Sequence, residues 1–412
     1  MKQVQKSDLY VKILYIVIFA ALFLIFGYAN KILFFRQAHW YEYIEGERIK
    51  YYSDINMYID LAQGKEVNYA YTYPLYFKFS RLLMIFCDAN NAVALAVLIL
   101  NMLCVPVLTV FFWKSVGNTE NILYKITALG LPYMMLLSSM LWMPGGNVPY
   151  GIEHRYLGVF TPNPWHNQTY FAARPFTIIA FLFFLRMICY YEEKADVRDC
   201  IIFSVSLLLA TMTKPSFTIV LGSAALMFML VRLVFHRFKT IKNTFFLGLT
   251  FIPTIINLCI QYSGIFGNNR EDAEEGIRFA VLEIWSHYSK NISLSLALAL
   301  AFPIMVLLFN LRAFIENRPY RFAWEFLLAG TLEFMFLKET GERSGHANFC
   351  WGYMYGIFFI FLISAGLLVR NTAEKKNRIP ALAVQWAVLF SHVICGCIYF
   401  VYLLKGGNYS SF

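Results

Sequence analysis

The chain has 412 residues, of which 59% are hydrophobic and only 15% are charged, and its formal net charge is +10 at pH 7. This composition excludes a single water-soluble core and predicts a protein that crosses a membrane several times. The basic residues lie in short segments between apolar stretches. The positive charge is therefore typical of cytoplasmic loops and does not indicate nucleic-acid binding.

Apolar stretches of roughly 20 residues recur along the chain, and each is about long enough to cross ~30 Å of hydrocarbon at ~1.5 Å per residue. We predict an all-α polytopic membrane protein that forms one domain over residues 1–412. About eleven transmembrane helices are expected, at residues 10–30, 91–112, 122–142, 170–190, 200–214, 216–235, 244–262, 291–311, 322–337, 351–369 and 380–404. No small-residue cleavage site follows the first stretch, which is interpreted as a retained anchor.

The distribution of Lys and Arg predicts which loops lie in the cytoplasm. A cytoplasmic N-terminus places the other basic loops on the same side, provided that residues 73–87 lie on the membrane surface. Pro74 begins this stretch, and Lys78 and Arg81 interrupt it, which favours an amphipathic outer-face helix. The polar segments that then share the outer face are residues 31–90, 143–169, 263–290 and 338–350.

Several common functional motifs are absent from the sequence. The eight cysteines form no CxxC pair, and no histidines lie at metal-binding spacing. No glycine-rich phosphate loop of the GxGxxG or GxxxxGK[ST] type is present. This absence argues against ATP-driven transport and against a nucleotide-sugar donor.

The first outer loop contains an acidic residue among many tyrosines. Ser53 and Gly64 are typical of the start and end of a short helix, and Asp54 lies near its positive N-terminal end. At about 100° per residue, Asp60 points away from Asp54, so the two acids do not form an obvious catalytic pair. Asp54 is interpreted either as a helix-terminal charge in an interfacial aromatic belt or as a reactive carboxylate.

The series Asp54, Tyr58, Ala62 and Gly64, followed by the segment YAYTYPLY at residues 69–76, resembles the first outer loop of the GT-C superfamily. These are polytopic glycosyltransferases that use polyprenyl-phosphate-linked sugars. The resemblance covers about the first ninety residues, and beyond them it depends on topology. It implies that Asp54 is the catalytic base or orients the acceptor, with Tyr58 and Tyr73 beside the substrate.

This chemistry agrees with the missing nucleotide motifs. A sugar phosphate already carries a leaving group, so an inverting transfer needs chiefly a base for the acceptor hydroxyl and cations for the departing phosphate. The implied partners are a polyprenyl-phosphate-sugar donor, a glycan or lipid-linked acceptor and membrane lipids. The resemblance favours a bacterial plasma membrane.

The second outer loop, GIEHRYLGVFTPNPWHNQTYFAARPF at residues 151–176, supplies further candidates. His154, Arg155, His166 and Arg174 are candidate contacts to a phosphate or sugar, and Trp165 is a candidate to stack on a sugar ring. The alternative is a structured loop with an interfacial Trp and a snorkelling Arg. No cofactor is predicted with certainty, but Mg²⁺ or Mn²⁺ held by His166 and an acid from another loop stays open.

Three later segments complete the predicted site. Lys214 lies beside the helix breaker Pro215 between two apolar runs, where a lysine needs water or an anion. Glu333 is an acidic residue inside the ninth expected span. The segment before the tenth span provides polar and aromatic groups suited to a carbohydrate or phosphate pocket, namely Glu339, Arg343, His346, Asn348 and Trp351.

We therefore expect a membrane glycosyltransferase that works on the extracytoplasmic face with Asp54 as its base. A first alternative is a polysaccharide polymerase of the O-antigen or capsule type, which joins lipid-linked repeat units and relies more on arginines. A second is a transporter or flippase for lipid-linked sugars, in which internal pseudo-symmetry and ionisable groups at the membrane midplane are expected.

Overall fold

The computed structural model describes residues 2–44, 46–65, 73–141, 161–194, 196–266 and 276–409. These residues contain sixteen α-helices: α1 (Lys2–His39), α2 (Ile55–Gln63), α3 (Leu75–Leu83), α4 (Ala89–Val116), α5 (Ile122–Leu137), α6 (Gln168–Met187), α7 (Val197–Thr213), α8 (Ser216–Phe235), α9 (Ile241–Leu249), α10 (Ile252–Phe266), α11 (Glu283–Tyr288), α12 (Ile292–Phe309), α13 (Leu311–Glu316), α14 (Arg318–Phe336), α15 (Cys350–Ala373) and α16 (Ile379–Leu404). The predicted all-α class is confirmed.

Two small antiparallel β-ribbons accompany the helices. Strand β1 (Tyr41–Ile44) pairs with β2 (Glu47–Lys50) directly after α1. Strand β3 (Ile277–Phe279) pairs with β4 (Leu337–Glu339), so the segment before α11 is joined to the end of α14. The second ribbon fixes the start of the polar segment that follows α14.

In the part of the chain that the structure describes, seven helices are long and apolar enough to cross a membrane, or up to eight if the bent pair α9 and α10 forms one span. The protein is therefore a multi-pass membrane protein. Helices occupy all eleven predicted stretches, but the predicted number of eleven spans is not confirmed. Helices α5 and α7 have only 16 and 17 residues, and α14 carries Arg321, Glu325 and Glu333 within its 19 residues.

Helix α15 lies at the centre of the bundle and contacts α4, α5, α8, α12, α14 and α16. Its closest approach is to α14, where a Cβ on Gly330 would lie 3.0 Å from the Cα of Tyr353. A Cβ on Gly356 would likewise lie 3.0 Å from the Cα of Leu327. Because small residues let helix backbones approach closely in membranes, these glycines hold the end of α14 beside the start of α15.

Within the predicted first outer loop, the two short helices α2 and α3 lie where they were predicted. Helix α2 ends at Gly64, whose φ of 78° is the left-handed conformation that favours glycine. At its start, Asp54 occupies the N-cap position while the Ser53 hydroxyl accepts a hydrogen bond from the Ile55 amide at 3.1 Å. Helix α3 begins directly after Pro74, as predicted. Its location on the outer membrane surface stays a prediction.

Candidate functional site

A cavity of about 980 Å³ opens where α2, the turn between α7 and α8, the end of α14 and the start of α15 meet. Its size is at the upper end of the range for small-molecule sites. Eleven of the predicted site residues line it: Asp54, Tyr58, Tyr73, His166, Lys214, Glu333, Glu339, Arg343, His346, Asn348 and Trp351. The structure thus brings together residues from four separate segments of the sequence.

Asp54 is held in the cavity wall by the segment before α6. Its backbone N–H donates to the carbonyl of His166 at 3.0 Å, and its carboxylate Oδ2 accepts from Nδ2 of Asn167 at 2.8 Å. Burial raises the pKa of Asp54 to about 6, although the Asn167 hydrogen bond and the charge of Lys214 both lower it. A carboxylate with this pKa is largely ionised at neutral pH and basic enough to accept a proton.

Lys214 lies in the turn between α7 and α8, where Pro215 prevents the helix from continuing. Its ammonium donates to Oδ1 of Asn167 and to Oγ1 of Thr169, both at 3.3 Å. It also lies 4.5 Å from the ring centre of Trp351, within the range of a cation–π contact. Burial lowers the pKa of Lys214 to about 8, while the charge of Asp54 raises it. Lys214 is therefore mainly a cation at neutral pH.

Asn167 joins these two charges, and the sequence reasoning missed it. Its Nδ2 donates to Asp54 and, at 3.0 Å, to the hydroxyl of Tyr58. Its Oδ1 accepts from Lys214 and from the backbone N–H of Tyr170, the usual bond of a helix N-cap. The signal was an Asn directly before an apolar helix, a pattern typical of an N-cap.

His166 provides an uncharged ring in the cavity wall. It stacks on Tyr409 with ring centres 4.2 Å apart and lies 5.7 Å from the ring of Trp351. Burial, together with the charge of Lys214, lowers the pKa of His166 to about 3. The ring is neutral at physiological pH, so His166 stays a predicted contact to a phosphate or sugar as an uncharged hydrogen-bonding group. Tyr409, near the end of the chain, was not predicted.

The segment between α14 and α15 forms the opposite wall. The Asn348 amide donates to Oε2 of Glu339, and the guanidinium of Arg343 lies 3.9 Å from Oε1 of the same carboxylate. Burial lowers the pKa of His346. Glu333 accepts a hydrogen bond from the Ser223 hydroxyl at 2.6 Å. Arg343 therefore lines the cavity, but its charge is already matched by Glu339.

Trp165 and Arg174 do not reach the cavity, contrary to expectation. Both side chains are completely buried. Trp165 stacks on Phe171 with ring centres 4.7 Å apart, and Arg174 donates to the carbonyl of Pro162 at 3.2 Å while covering the same phenylalanine. The first half of α6 is enclosed by neighbouring helices, so both residues support the bundle. His154 and Arg155 lie outside the described residues.

The described residues of this site offer few groups that could hold a metal ion. Within the described ranges, no three His, Cys, Asp or Glu side chains are grouped closely enough to hold one. His166 lies beside Lys214, and the positive charge of Lys214 would repel a metal ion bound to His166. The Mg²⁺ or Mn²⁺ site therefore stays a prediction without a ligand set.

A second cavity of about 660 Å³ adjoins the first and follows the surface between α8 and α14. Glu333 lines both cavities. From there, apolar side chains continue along the two helices to the charged end: Ala224, Met227, Phe228, Val231, Phe235, Leu328, Ala329 and Leu332. Arg232, Arg321 and Glu325 mark that end. We call this second cavity the α8–α14 groove.

No family model matches the chain, and no curated protein is significantly similar to it. The resemblance to the GT-C superfamily therefore stays a prediction that depends on the residues of the first outer loop.

Proposed function

We propose that the protein is a membrane glycosyltransferase that transfers a sugar from a polyprenyl-phosphate donor to a glycan or lipid-linked acceptor. The observation that carries this proposal is the arrangement of Asp54 and Lys214 in one cavity. The carboxylate and the ammonium are linked through Asn167 and form no direct ion pair with each other among the described residues. Each is thus available to a substrate.

Asp54 would act as the base. It accepts the proton of the acceptor hydroxyl while that oxygen bonds to the anomeric carbon of the donor sugar. The bond from this carbon to the phosphate oxygen breaks on the opposite face, so the configuration inverts and the lipid phosphate leaves with the electron pair. Lys214 would stabilise the negative charge on the departing phosphate. No nucleotide takes part in this step.

The rest of the cavity suits a carbohydrate. Sugar sites combine a few polar side chains that fix orientation with aromatic faces that cover the ring. The wall formed by Glu339, Asn348 and Trp351 offers carboxylate and amide groups beside an indole. Tyr58 and Tyr73 lie on the opposite side, with the ring of Tyr58 among those of Tyr76 and Phe77.

The α8–α14 groove supports a lipid-linked donor. A polyprenyl chain is apolar and attached to its phosphate at one end, so its binding site needs an apolar surface that begins at the reactive cavity. The groove begins at Glu333, where the two cavities meet, and is lined mainly by aliphatic and aromatic side chains. The first cavity offers polar groups for the sugar phosphate, and the adjoining α8–α14 groove offers an apolar surface for the polyprenyl chain.

The test is sugar transfer in membranes that contain the full-length wild type, Asp54→Asn or Asp60→Asn, each at equal expression, with polyprenyl-phosphate sugars of the source organism. Asp60 lies on the same helix but pairs with Lys65 at 2.8 Å outside the cavity. We expect Asp54→Asn to lower kcat by about 10³-fold, as loss of a general base does, and Asp60→Asn to retain normal transfer. Normal transfer by both variants would contradict the proposal.

The alternatives predict different results in this assay. A polymerase that depends on arginines would retain activity in Asp54→Asn and lose it in Arg343→Gln, whereas Arg174 lies outside the cavity and is no longer a candidate. A flippase would move lipid-linked sugar in the absence of any transfer. The extracytoplasmic location of the cavity, the cytoplasmic N-terminus and the bacterial plasma membrane are parts of the proposal.

A further inference from the structure

A third cavity, of about 900 Å³, lies at the end of the helix bundle opposite to Asp54. Helix α15 runs from Trp351 in the first cavity to Arg370 in this one, which is roughly 30 Å at 1.5 Å per residue. Helices α6 and α14 likewise have one end near each cavity. The two sites are therefore separate, and this inference does not depend on the proposed glycosyl transfer.

The walls of this cavity carry four basic side chains and one acidic side chain: Arg312, Arg318, Arg370 and Lys376, with Glu316. Three of the cations already contact carboxylates, because Arg312 pairs with Glu316 at 2.8 Å, Lys376 with Glu374 and Arg318 with Glu192. Arg370 is exposed to the cavity and forms no ion pair within the described ranges. Arg370 is therefore available to bind an anion in the cavity.

A network of buried amides forms the floor. Oδ1 of Asn310 accepts from Asn371 at 2.8 Å and from Asn377 at 3.0 Å, and its Nδ2 donates to Gln385 at 3.1 Å. These hydrogen bonds fix three of the four asparagines that line the cavity, Asn310, Asn371 and Asn377. Fixed amide groups next to a guanidinium are well suited to the oxygens of a phosphate.

The surroundings place this cavity beside an apolar surface. Leu311 and Ile315, on the short helix α13, are largely exposed, and so are Leu308 and Phe309 at the end of α12. Because α12 is one of the helices long enough to span a membrane, these residues belong to the region where the helix leaves the hydrocarbon. A ligand in the cavity would have its charge near Arg370 and any acyl chains over α13.

We propose that this cavity binds the phosphate head group of an anionic membrane lipid, with Arg370 as its principal charge contact. A lipid phosphodiester brings a negative charge to the guanidinium and acceptor oxygens to the amides. Its chains remain in contact with the exposed leucine and isoleucine of α13. Free phosphate shares the charge but lacks the chains, so the two sources are separable by experiment.

The test is equilibrium binding of phosphatidylglycerol to the full-length protein in phosphatidylcholine nanodiscs, counted by native mass spectrometry. The variants are Arg370→Gln, Lys376→Gln and the control Arg198→Gln. Arg198 is exposed at the start of α7, at the same end of the bundle, and does not line the cavity. All three changes remove one positive charge from the surface, so the proteins are expected to fold alike.

We expect wild type to bind one lipid saturably and Arg370→Gln to bind it about tenfold more weakly, the loss of one charged hydrogen bond. Lys376→Gln should weaken binding less, and Arg198→Gln should match wild type. If inorganic phosphate competes with the lipid in wild type but not in Arg370→Gln, the result would support the same site and show that it also accepts free phosphate. Equal binding by Arg370→Gln and Arg198→Gln would overturn the proposal.

Discussion

Two partly buried carboxylates, Asp54 and Glu192, lie at opposite ends of the bundle and have opposite surroundings. Glu192, between α6 and α7, contacts Arg318 at 2.6 Å and also Arg232 and His236. Burial raises its pKa, but the two arginines outweigh this effect and the pKa lies below its ordinary value. Asp54 accepts from an amide, with Lys214 held behind Asn167, and its pKa is raised to about 6.

In the proposed mechanism, this difference separates a structural acid, Glu192, from the proposed base, Asp54. Glu192 ties the ends of α6, α8 and α14 together because its charge is fully matched, and it cannot accept a further proton near neutral pH. The partners of Asp54 offset only part of the effect of burial on its pKa. The pKa therefore stays raised, which makes the carboxylate a better base. Substitutions that change one partner at a time test this difference.

The largest effect in this comparison is expected from Lys214→Met. The variant removes the only lysine that lines the cavity among the described residues, so we expect kcat for sugar transfer to fall about 10²–10³-fold. The matched control is Lys65→Met, because Lys65 is exposed and lies outside the cavity. A Lys214→Met protein that transfers sugar at the wild-type rate would show that Lys214 does not stabilise the departing phosphate.

A smaller loss of activity is expected from Asn167→Ala, about tenfold in kcat/KM. Asp54 loses the hydrogen bond that lowers its pKa, so the acidic limb of the pH profile should move to higher pH. Asn121→Ala is the control, since Asn121 caps α5 in the same way far from the cavity. If both variants lower activity equally without moving that limb, Asn167 serves only as a helix cap.

Glu192→Gln should affect stability and leave the chemistry nearly unchanged. Two arginines lose their carboxylate, which we expect to destabilise the protein by about 2 kcal/mol and lower its Tm in detergent. Transfer per folded molecule should stay within about twofold of wild type. Glu193→Gln is the control, since the neighbouring side chain is exposed. A loss of turnover at unchanged Tm would contradict the structural assignment of Glu192.

Local features of the fold were predictable from the sequence. Gly64 ended α2 because glycine adopts the left-handed conformation without a steric penalty. Pro74 preceded α3 because its ring fixes φ. The number of spans was less predictable. Helix α14 is long enough to cross a membrane but carries charges that only the packed structure accommodates, such as Glu333 beside Ser223.

The sequence indicated which residue types belong to the site better than it indicated how deeply each side chain is buried. Lys214 was identified because a lysine between two apolar runs needs water or an anion, and Asp54 through the resemblance of its segment to the first outer loop of the GT-C superfamily. Arg174 was a candidate contact to a phosphate or sugar and Trp165 a candidate to stack on a sugar ring, yet both side chains are enclosed by the bundle. Sequence alone does not give that burial. Tyr409 was missed because its contact with His166 joins distant parts of the chain.

The most direct test of the central claim is the pH dependence of kcat/KM for sugar transfer by the wild-type protein in reconstituted vesicles. Asp54 must be ionised and Lys214 protonated, so we predict a bell-shaped profile. Activity should be lost as the pH falls through about 6, where Asp54 gains a proton, and as it rises through about 8, where Lys214 loses one. Residual activity of Asp54→Asn should lack the acidic limb. A wild-type profile that is flat between pH 5 and 7 would contradict the assignment of Asp54 as the base.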